Sequence, residues 1–190
     1  MNKLLNAIDN ITTDKVVKSI INSVNDNQEK CKNWLVNQTV KYFDFIDNPN
    51  ICVAAGWYGS LADKLQKYSK SKVLSFDQDP QTKLIGSMIY NDVWFKVESI
   101  ETFKKYKKFN VLVCTSCEHL SKETIDNMLQ QLNKGTLVVL QSNDYFGIDG
   151  HINCHKNLKS FCDSVKLSQV LYHGQLSLKK YNRFMIIGIK

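Results

Sequence analysis

Apolar residues in the first fifty positions recur at helical spacing. One face of a first helix collects five of them: Val16, Val17, Ile20, Ile21 and Val24. Thr12 or Thr13 precedes this pattern and is suited to cap the helix. A second helix is predicted from residue 28 to about residue 45, and Pro49 ends the pattern because it restricts the residue before it. We therefore expect residues 1–49 to form a helical extension that caps the rest of the domain.

From residue 51 onward, short apolar runs alternate with helical segments. Five runs have the length and composition of buried strands, at residues 51–55, 72–76, 92–97, 109–115 and 135–141. Helices are predicted between them, at residues 60–68 with Ser60 as the cap, from Pro80 onward, at 99–106, and at 121–132 with Ser121 near its start. Strands joined by helical crossovers form a parallel sheet that is covered on both faces.

The carboxyl-terminal part of the chain departs from this alternation. Residues 167–178 and 181–190 have strand patterns with only a short polar connection between them, which favours an antiparallel hairpin over a parallel return. The fold expected is an α/β, Rossmann-like open sheet of seven strands, mostly parallel, with an antiparallel terminal hairpin and helices on both faces. We expect one domain over residues 1–190, with the extension at 1–49 and the Rossmann-like core at 50–190.

Composition narrows the class of protein. The chain has 190 residues, of which 43% are hydrophobic and 23% charged, as in a folded globular domain. Its apolar stretches fall short of the roughly 20 residues that span a bilayer, and the first residues lack the apolar core of a secretory signal. We expect a cytoplasmic protein without a membrane partner, in which the six cysteines are reduced.

The net charge of +7 permits electrostatic attraction to nucleic acid. Most lysines are scattered, as on a solvated surface, and the main cluster lies on the helix predicted between the third and fourth strands: Lys104, Lys105, Lys107 and Lys108. We expect only weak, salt-sensitive nucleic-acid binding from such a surface.

A Gly-Trp-Tyr-Gly bend follows the first strand. In an open parallel sheet, ligands bind outside the carboxyl ends of the strands, and Gly56 and Gly59 would let the backbone approach one. The alternative is a tight turn that needs glycine for its own geometry. Asp77 ends the second strand about 20 residues later, where a carboxylate can accept hydrogen bonds from ribose hydroxyls. Asp79 is the expected cap of the next helix because Pro80 follows it.

Residues 50–190 resemble the class I S-adenosylmethionine-dependent methyltransferases. The resemblance rests on four motifs in order and on the terminal hairpin: "ICVAAGWYG", "VLSFDQDP", "NVLVCTSCEHL" and "LNKGTLVVLQS". The first motif departs from the family pattern D-x-G-x-G-x-G, since Val53, Ala55 and Trp57 occupy its other places and only Gly59 keeps the register. Asn110 stands where an Asp often begins the fourth motif.

This resemblance implies S-adenosylmethionine as cofactor, S-adenosylhomocysteine as product, and no metal. Asp77 takes the place of the ribose-binding acid, and Glu98 is the nearest candidate for an adenine contact. The cofactor-binding residues implied are Ala55, Gly56, Trp57, Tyr58, Gly59, Asp77, Gln78, Glu98 and Thr115. Trp57 or Tyr58 would help to enclose the sulfonium group.

Glu118 and His119 follow the fourth strand at the mouth of the expected crevice. His119 could accept a proton from the attacking nucleophile, so these two residues are the catalytic candidates. They could instead cap the next helix. The segments Cys114–His119 and His151–His155 also suggest metal ligands, but packing explains their cysteines better than a zinc site does.

The polar loop after the fifth strand supplies the candidates for acceptor binding, Asn143, Asp144 and Tyr145. A turn in which Asn and Asp bond their own backbone explains these residues nearly as well.

The leading hypothesis is a methyltransferase, monomeric or homodimeric, that acts on a small molecule or another acceptor of modest size. Three alternatives stay open: transfer of the aminocarboxypropyl group of the same cofactor, a non-catalytic binding or scaffold protein on this fold, and an RNA methyltransferase. Fold alone does not separate them.

Overall fold

Seven strands form one sheet in the computed structural model, which describes residues 15–190. In chain order they are β1 (Ile51–Ala54), β2 (Leu74–Asp77), β3 (Trp94–Val97), β4 (Val111–Cys114), β5 (Leu137–Asn143), β6 (Gln169–Ser177) and β7 (Asn182–Ile189). The spatial order is β3-β2-β1-β4-β5-β7-β6. Strands β1 to β5 are parallel, whereas β7 is antiparallel to both β5 and β6. The seven-stranded mixed sheet predicted from the sequence is confirmed.

Helices cover both faces of this sheet. The α-helices of the described residues are α1 (Lys15–Ser23), α2 (Asp26–Thr39), α3 (Ser60–Gln66), α4 (Pro80–Ile89), α5 (Lys122–Gln130) and α6 (Leu158–Ser164). A 3-10 helix (Val40–Phe45) continues α2. Within residues 15–190, no helix has the length and apolar character needed to cross a membrane.

The burial of strand β1 explains why the central strands are continuous apolar runs in the sequence. All four of its residues are buried, because alternate side chains enter different cores. Cys52 and Ala54 pack in the core that also contains Phe103 and residues of α5 and α6. Ile51 and Val53 pack in the opposite core, to which α2 and α3 contribute.

Two of the predicted helix starts are found. Asp79 accepts a hydrogen bond from the Gln81 N–H at 2.9 Å, with Pro80 in the first turn, and Ser121 caps α5 by accepting from the Thr124 N–H at 3.0 Å. The prediction for α3 is wrong, because Gly59 is its N-cap and Ser60 lies inside the helix. The proposed caps Thr12 and Thr13 lie outside the described residues.

The predicted helix at residues 99–106 is also wrong. The segment forms turns followed by a 3-10 helix at Tyr106–Lys108. Phe103, Tyr106 and Phe109 are buried at intervals of three residues, which brings an aromatic side chain to the core at each short turn. The four clustered lysines are therefore exposed on irregular backbone and on this 3-10 helix, and not on a flanking α-helix.

The helices before β1 pack on the sheet and reach the carboxyl ends of its strands. Leu35 and Val36 of α2 share a core with β1 and β4. The Trp57 indole N–H donates to Ser19 Oγ at 3.2 Å, which joins α1 to the bend after β1. The extension therefore lies beside the crevice that the sheet creates.

Candidate cofactor crevice

A cavity of about 390 Å³ opens outside the carboxyl ends of the parallel strands. It lies where the strand order reverses between β1 and β4, which is the usual ligand position in an open α/β sheet. All nine residues implied as cofactor-binding line it: Ala55, Gly56, Trp57, Tyr58, Gly59, Asp77, Gln78, Glu98 and Thr115. Both catalytic candidates, Glu118 and His119, line it as well.

The glycines of the bend are required by packing inside the protein. A Cβ at Gly56 would collide with the Ser75 side chain, and a Cβ at Gly59 would collide with the ring of Phe95. Gly59 also has a φ of +86°, which glycine adopts without strain. The close approach at these positions is therefore made by side chains of β2 and β3, while the same bend still lines the cavity.

Two residues of the bend have an unusual backbone conformation for their type. Ala55 has a φ of +49° and Trp57 a φ of +50°, in the left-handed region that residues with a Cβ seldom adopt. Such conformations cost of the order of 1–3 kcal/mol and cluster at ligand sites. The bend is fixed in this strained form by its hydrogen bonds, including that from the Gly56 N–H to the Phe76 carbonyl at 2.9 Å.

Asp77 joins the bend to the end of β2. Its Oδ2 accepts from the Trp57 N–H and its Oδ1 from the Asp79 N–H, each at 3.1 Å. Burial raises the pKa of this carboxyl, and hydrogen bonds from the backbone N–H groups of Asp79, Trp57 and Gln78 oppose the rise. A carboxylate has about four acceptor positions, so it can still receive a hydroxyl donor from a ligand in the cavity.

Glu98 follows β3 on the same side of the cavity. Its backbone N–H donates to the Asp77 carbonyl at 2.9 Å, and its carboxylate pairs with Lys96. This places a second acid one strand away from Asp77, as the resemblance implies.

Lys32 is a lining residue that the sequence interpretation missed. Its ammonium group donates to the Ser23 carbonyl at 2.5 Å and to Ser60 Oγ, and its side chain is only 12% exposed. Burial lowers the pKa of Lys32 to about 8, although Glu29 at 4.0 Å acts in the other direction. The crevice therefore holds a poorly hydrated cation beside the first turn of α3. The only sequence signal for Lys32 as a lining residue was its position on the predicted second helix.

Glu118 takes part in a buried ion pair. Its Oε1 lies 2.5 Å from Nη1 of Arg183, and the side chains are 5% and 7% exposed. Arg183 also donates to the Thr115 carbonyl at 2.5 Å and to Gln141 Oε1 at 3.3 Å. Burial acts to lower the pKa of Arg183, but the charge and hydrogen bond of Glu118, together with Cys31 and Tyr181, raise it above its ordinary value. Arg183 thus engages one carboxylate oxygen of Glu118, and the catalytic role expected of Glu118 stays a prediction.

His119 follows Glu118 in the chain and is exposed. It does not cap α5, because Ser121 is the N-cap of that helix. Its Nδ1 lies 3.0 Å from the Gly150 carbonyl. The ring of His151 packs edge-on against it, with the centroids 4.6 Å apart. The structure thus brings together the two His-containing segments that the sequence analysis considered for metal, although Cys114 and Cys117 are buried in the core.

The three acceptor candidates lie outside the cavity lining. Asn143 Oδ1 accepts from the Tyr145 N–H at 2.9 Å, and the Asp144 carboxylate accepts two hydrogen bonds from Asn182, at 2.6 and 2.7 Å. Tyr145 stacks on Tyr181 with the centroids 5.0 Å apart. These groups hold the β5 loop to the hairpin, and their role in acceptor binding stays a prediction.

No protein-family model and no curated protein matches this sequence. Solved structures do match in fold. The N-methyltransferase NodS of Bradyrhizobium japonicum WM9, in complex with S-adenosylhomocysteine, is 12% identical, with a TM-score of 0.70 over 98% of this chain and 97% of NodS. The magnesium protoporphyrin IX methyltransferase ChlM of Synechocystis PCC 6803, also with S-adenosylhomocysteine, is 14% identical, with a TM-score of 0.67 over 94% and 88%.

A third match, the ribosomal protein L11 methylase of Lactobacillus delbrueckii subsp. bulgaricus, is 14% identical, with a TM-score of 0.58 over 85% of this chain and 78% of the methylase. ChlM is named for a porphyrin acceptor and the L11 methylase for a ribosomal protein, so the likeness carries no information about the acceptor. The chain has the Rossmann-like fold of the class I methyltransferases.

Proposed function

We propose that this protein is an S-adenosylmethionine-dependent methyltransferase with a small-molecule acceptor. The observation that carries the proposal is the meeting of Asp77 with the strained bend after β1, in a cavity at the switch point of the sheet. A carboxylate there suits the two ribose hydroxyls of an adenosine. The neighbours NodS and ChlM hold S-adenosylhomocysteine, which agrees with this cofactor.

The polar groups of the cavity fit both ends of the cofactor. Asp77 offers free acceptor positions to the ribose, and Glu98 lies one strand further along for the adenine end. Lys32 offers a poorly hydrated cation to the carboxylate of the methionine end. A lining that contains both acids and a base suits a zwitterionic nucleoside better than a nucleotide, whose phosphates would call for more cations.

When bound, S-adenosylmethionine supplies an activated methyl group. His119 lines the same cavity, and its contact with the Gly150 carbonyl fixes Nδ1 as the donor and leaves a lone pair on Nε2. In the chain without a bound metal ion, that lone pair can take the proton of an attacking nucleophile. Arg183 holds Glu118 beside it.

A small acceptor is favoured by what surrounds the cavity. Ser23, Gln28 and Lys32 line it from the helical extension, so α1 and α2 narrow the approach of a large substrate. The clustered lysines lie on the turns between β3 and β4, where Tyr106 is buried and offers no stacking surface to a base.

Calorimetry with S-adenosylhomocysteine and with 5′-methylthioadenosine, which lacks the methionine carboxylate, tests the two ends separately. Asp77→Asn should weaken binding of both ligands by about 1–3 kcal/mol, because it removes a charged acceptor for ribose hydroxyls. Lys32→Met should weaken S-adenosylhomocysteine by about 1–3 kcal/mol and leave methylthioadenosine unchanged. Lys64→Met is the matched control, since Lys64 pairs with the same Glu29 at 2.9 Å but lies outside the cavity lining.

If the wild-type chain binds S-adenosylhomocysteine saturably and neither Asp77→Asn nor Lys32→Met weakens that binding, the cofactor does not bind in this crevice. Absence of binding by the wild-type chain would favour the non-catalytic alternative. Incubation with cofactor labelled in the methyl carbon or in the methionyl carbons then separates methyl transfer from aminocarboxypropyl transfer, since only one label reaches the product in each case.

A further inference from the structure

We infer that Glu118, His119 and His151 form a binding site for a divalent transition-metal ion at the acceptor side of the crevice. One ligand atom from each of the three side chains lies within 4.8 Å of the others. This departs from the expectation that the protein uses no metal. The metal site stands on these three residues alone, and its placement beside an acceptor rests on the proposed function.

Both imidazoles are oriented as metal ligands usually are. His119 Nδ1 lies 3.0 Å from the Gly150 carbonyl, and His151 Nδ1 lies 2.9 Å from the Tyr145 carbonyl. A carbonyl oxygen only accepts, so each Nδ1 donates and each neutral ring keeps a lone pair on Nε2. Backbone carbonyls that fix the tautomer in this way are the common outer partners of metal-bound histidine.

Glu118 supplies the independent sign of a missing cation. It is 4% exposed, and its Oε2 is buried without a hydrogen-bond partner among the described residues. Arg183 satisfies only Oε1. Burying a carboxylate oxygen without a partner destabilises the folded state. A metal ion bound by the two histidines would give this oxygen a partner.

The ligand set defines the class of metal. Two imidazoles and one carboxylate suit Zn²⁺, Mn²⁺, Fe²⁺ or Co²⁺ and leave coordination positions open. Glu118 and His119 both line the cavity, so the open positions are accessible from the crevice. Because Arg183 already balances the charge of Glu118, the bound ion would retain its positive charge and attract an anionic or hydroxyl oxygen. An acceptor with such an oxygen is the substrate class that this site fits.

Titration of the metal-stripped full chain with Co²⁺, followed by its visible absorption bands and by calorimetry, tests the site. The wild type should bind one ion saturably. His119→Ala and His151→Ala should each weaken Co²⁺ binding at least about tenfold. His173→Ala is the matched control, because this histidine is exposed on β6, and it should bind as the wild type does.

Absence of saturable Co²⁺ binding by the wild type would overturn the inference, as would equal losses in His151→Ala and His173→Ala. S-adenosylhomocysteine binding is measured on the same samples. His151 lies outside the cavity lining, so His151→Ala should keep that affinity while it loses the metal. A wild type that binds S-adenosylhomocysteine but not Co²⁺ refutes the metal site and leaves the proposed function in place.

Discussion

The two ends of the crevice are built by different physical means. The end at which we propose that the cofactor binds (the cofactor end), after β1 and β2, consists of a strained bend, two packed glycines and a carboxylate held by backbone N–H groups. The end at which we propose that the acceptor binds (the acceptor end), after β4 and β5, contains the buried ion pair between Glu118 and Arg183 and His119, with His151 packed beside it outside the cavity lining. Close packing and backbone strain fix the geometry of the cofactor end, whereas a buried ion pair fixes the side chains of the acceptor end.

This difference means that the two ends should fail in different ways. Removing one partner of a buried ion pair leaves the other charge without compensation, which is among the most costly single changes in a protein. Adding a methyl group to a tight turn costs less, because neighbouring side chains can yield in part.

The largest effect is expected for Arg183→Met. The change leaves the Glu118 carboxylate buried without its partner and also removes the donor to the Thr115 carbonyl, so the free energy of unfolding should fall by about 3–5 kcal/mol. Urea denaturation at neutral pH measures it. Lys122→Met is the control, since its pair with Asp126 is an exposed one within α5, and it should cost no more than about 0.5 kcal/mol.

The double variant Glu118→Leu/Arg183→Met sharpens this test. Replacing both charges removes the uncompensated carboxylate, so it should recover much of the stability that Arg183→Met loses. If Arg183→Met and Lys122→Met lose equal amounts of unfolding free energy, the buried ion pair does not stabilise the acceptor end more than an exposed pair stabilises α5.

An intermediate effect is expected at Gly59. Gly59 and Gly135 have φ values of +86° and +84°, but a Cβ at Gly59 would collide with Phe95, whereas one at Gly135 meets no described atom within 4 Å. Both Gly→Ala changes introduce the same backbone strain, and only Gly59→Ala adds the collision. Gly59→Ala should therefore cost about 1–3 kcal/mol more than Gly135→Ala in urea denaturation. Equal losses of unfolding free energy in the two variants would mean that the contact with Phe95 does not restrict residue 59.

Much of the cofactor end could be predicted from the sequence because its determinants are local. The apolar runs, the Gly-Trp-Tyr-Gly bend and the acid about 20 residues later all lie in one strand–helix–strand unit. The acceptor end could not be predicted in the same way. Glu118 meets Arg183 across 65 positions and His119 meets Gly150 across 31, and these contacts depend on how β5 and β7 align and how the loop after β5 folds back.

Lys32 and the segment at residues 99–106 show two further limits. Lys32 lies on α2, so its place in the crevice depends on how that helix docks on the sheet. The apolar and charged residues at 99–106 fit a helical pattern, yet three aromatic side chains at intervals of three enter the core and impose short turns. Tertiary packing overrode the local preference there.

The smallest effect is expected from the titration of Asp77. Burial raises its pKa above the ordinary value of 3.8, so the folded chain holds this proton to a higher pH than the unfolded chain does. The stability of the wild type relative to Asp77→Asn should therefore be greatest at low pH and should fall as pH rises through the range just above 3.8. Urea denaturation of both chains from pH 4 to 6 measures it, and the difference should be constant between pH 7 and 8. An opposite slope would mean that hydrogen bonding outweighs burial at this carboxylate.

The pKa of Lys32 near 8 makes cofactor binding a proton-coupled event. Near pH 8, part of the chains carry a neutral lysine, and a ligand carboxylate placed beside it would draw a proton from the buffer. The heat of binding would then include the ionisation enthalpy of that buffer. Titrations in phosphate and in an amine buffer at pH 8 should give different apparent enthalpies for S-adenosylhomocysteine and the same enthalpy for methylthioadenosine, which lacks the carboxylate.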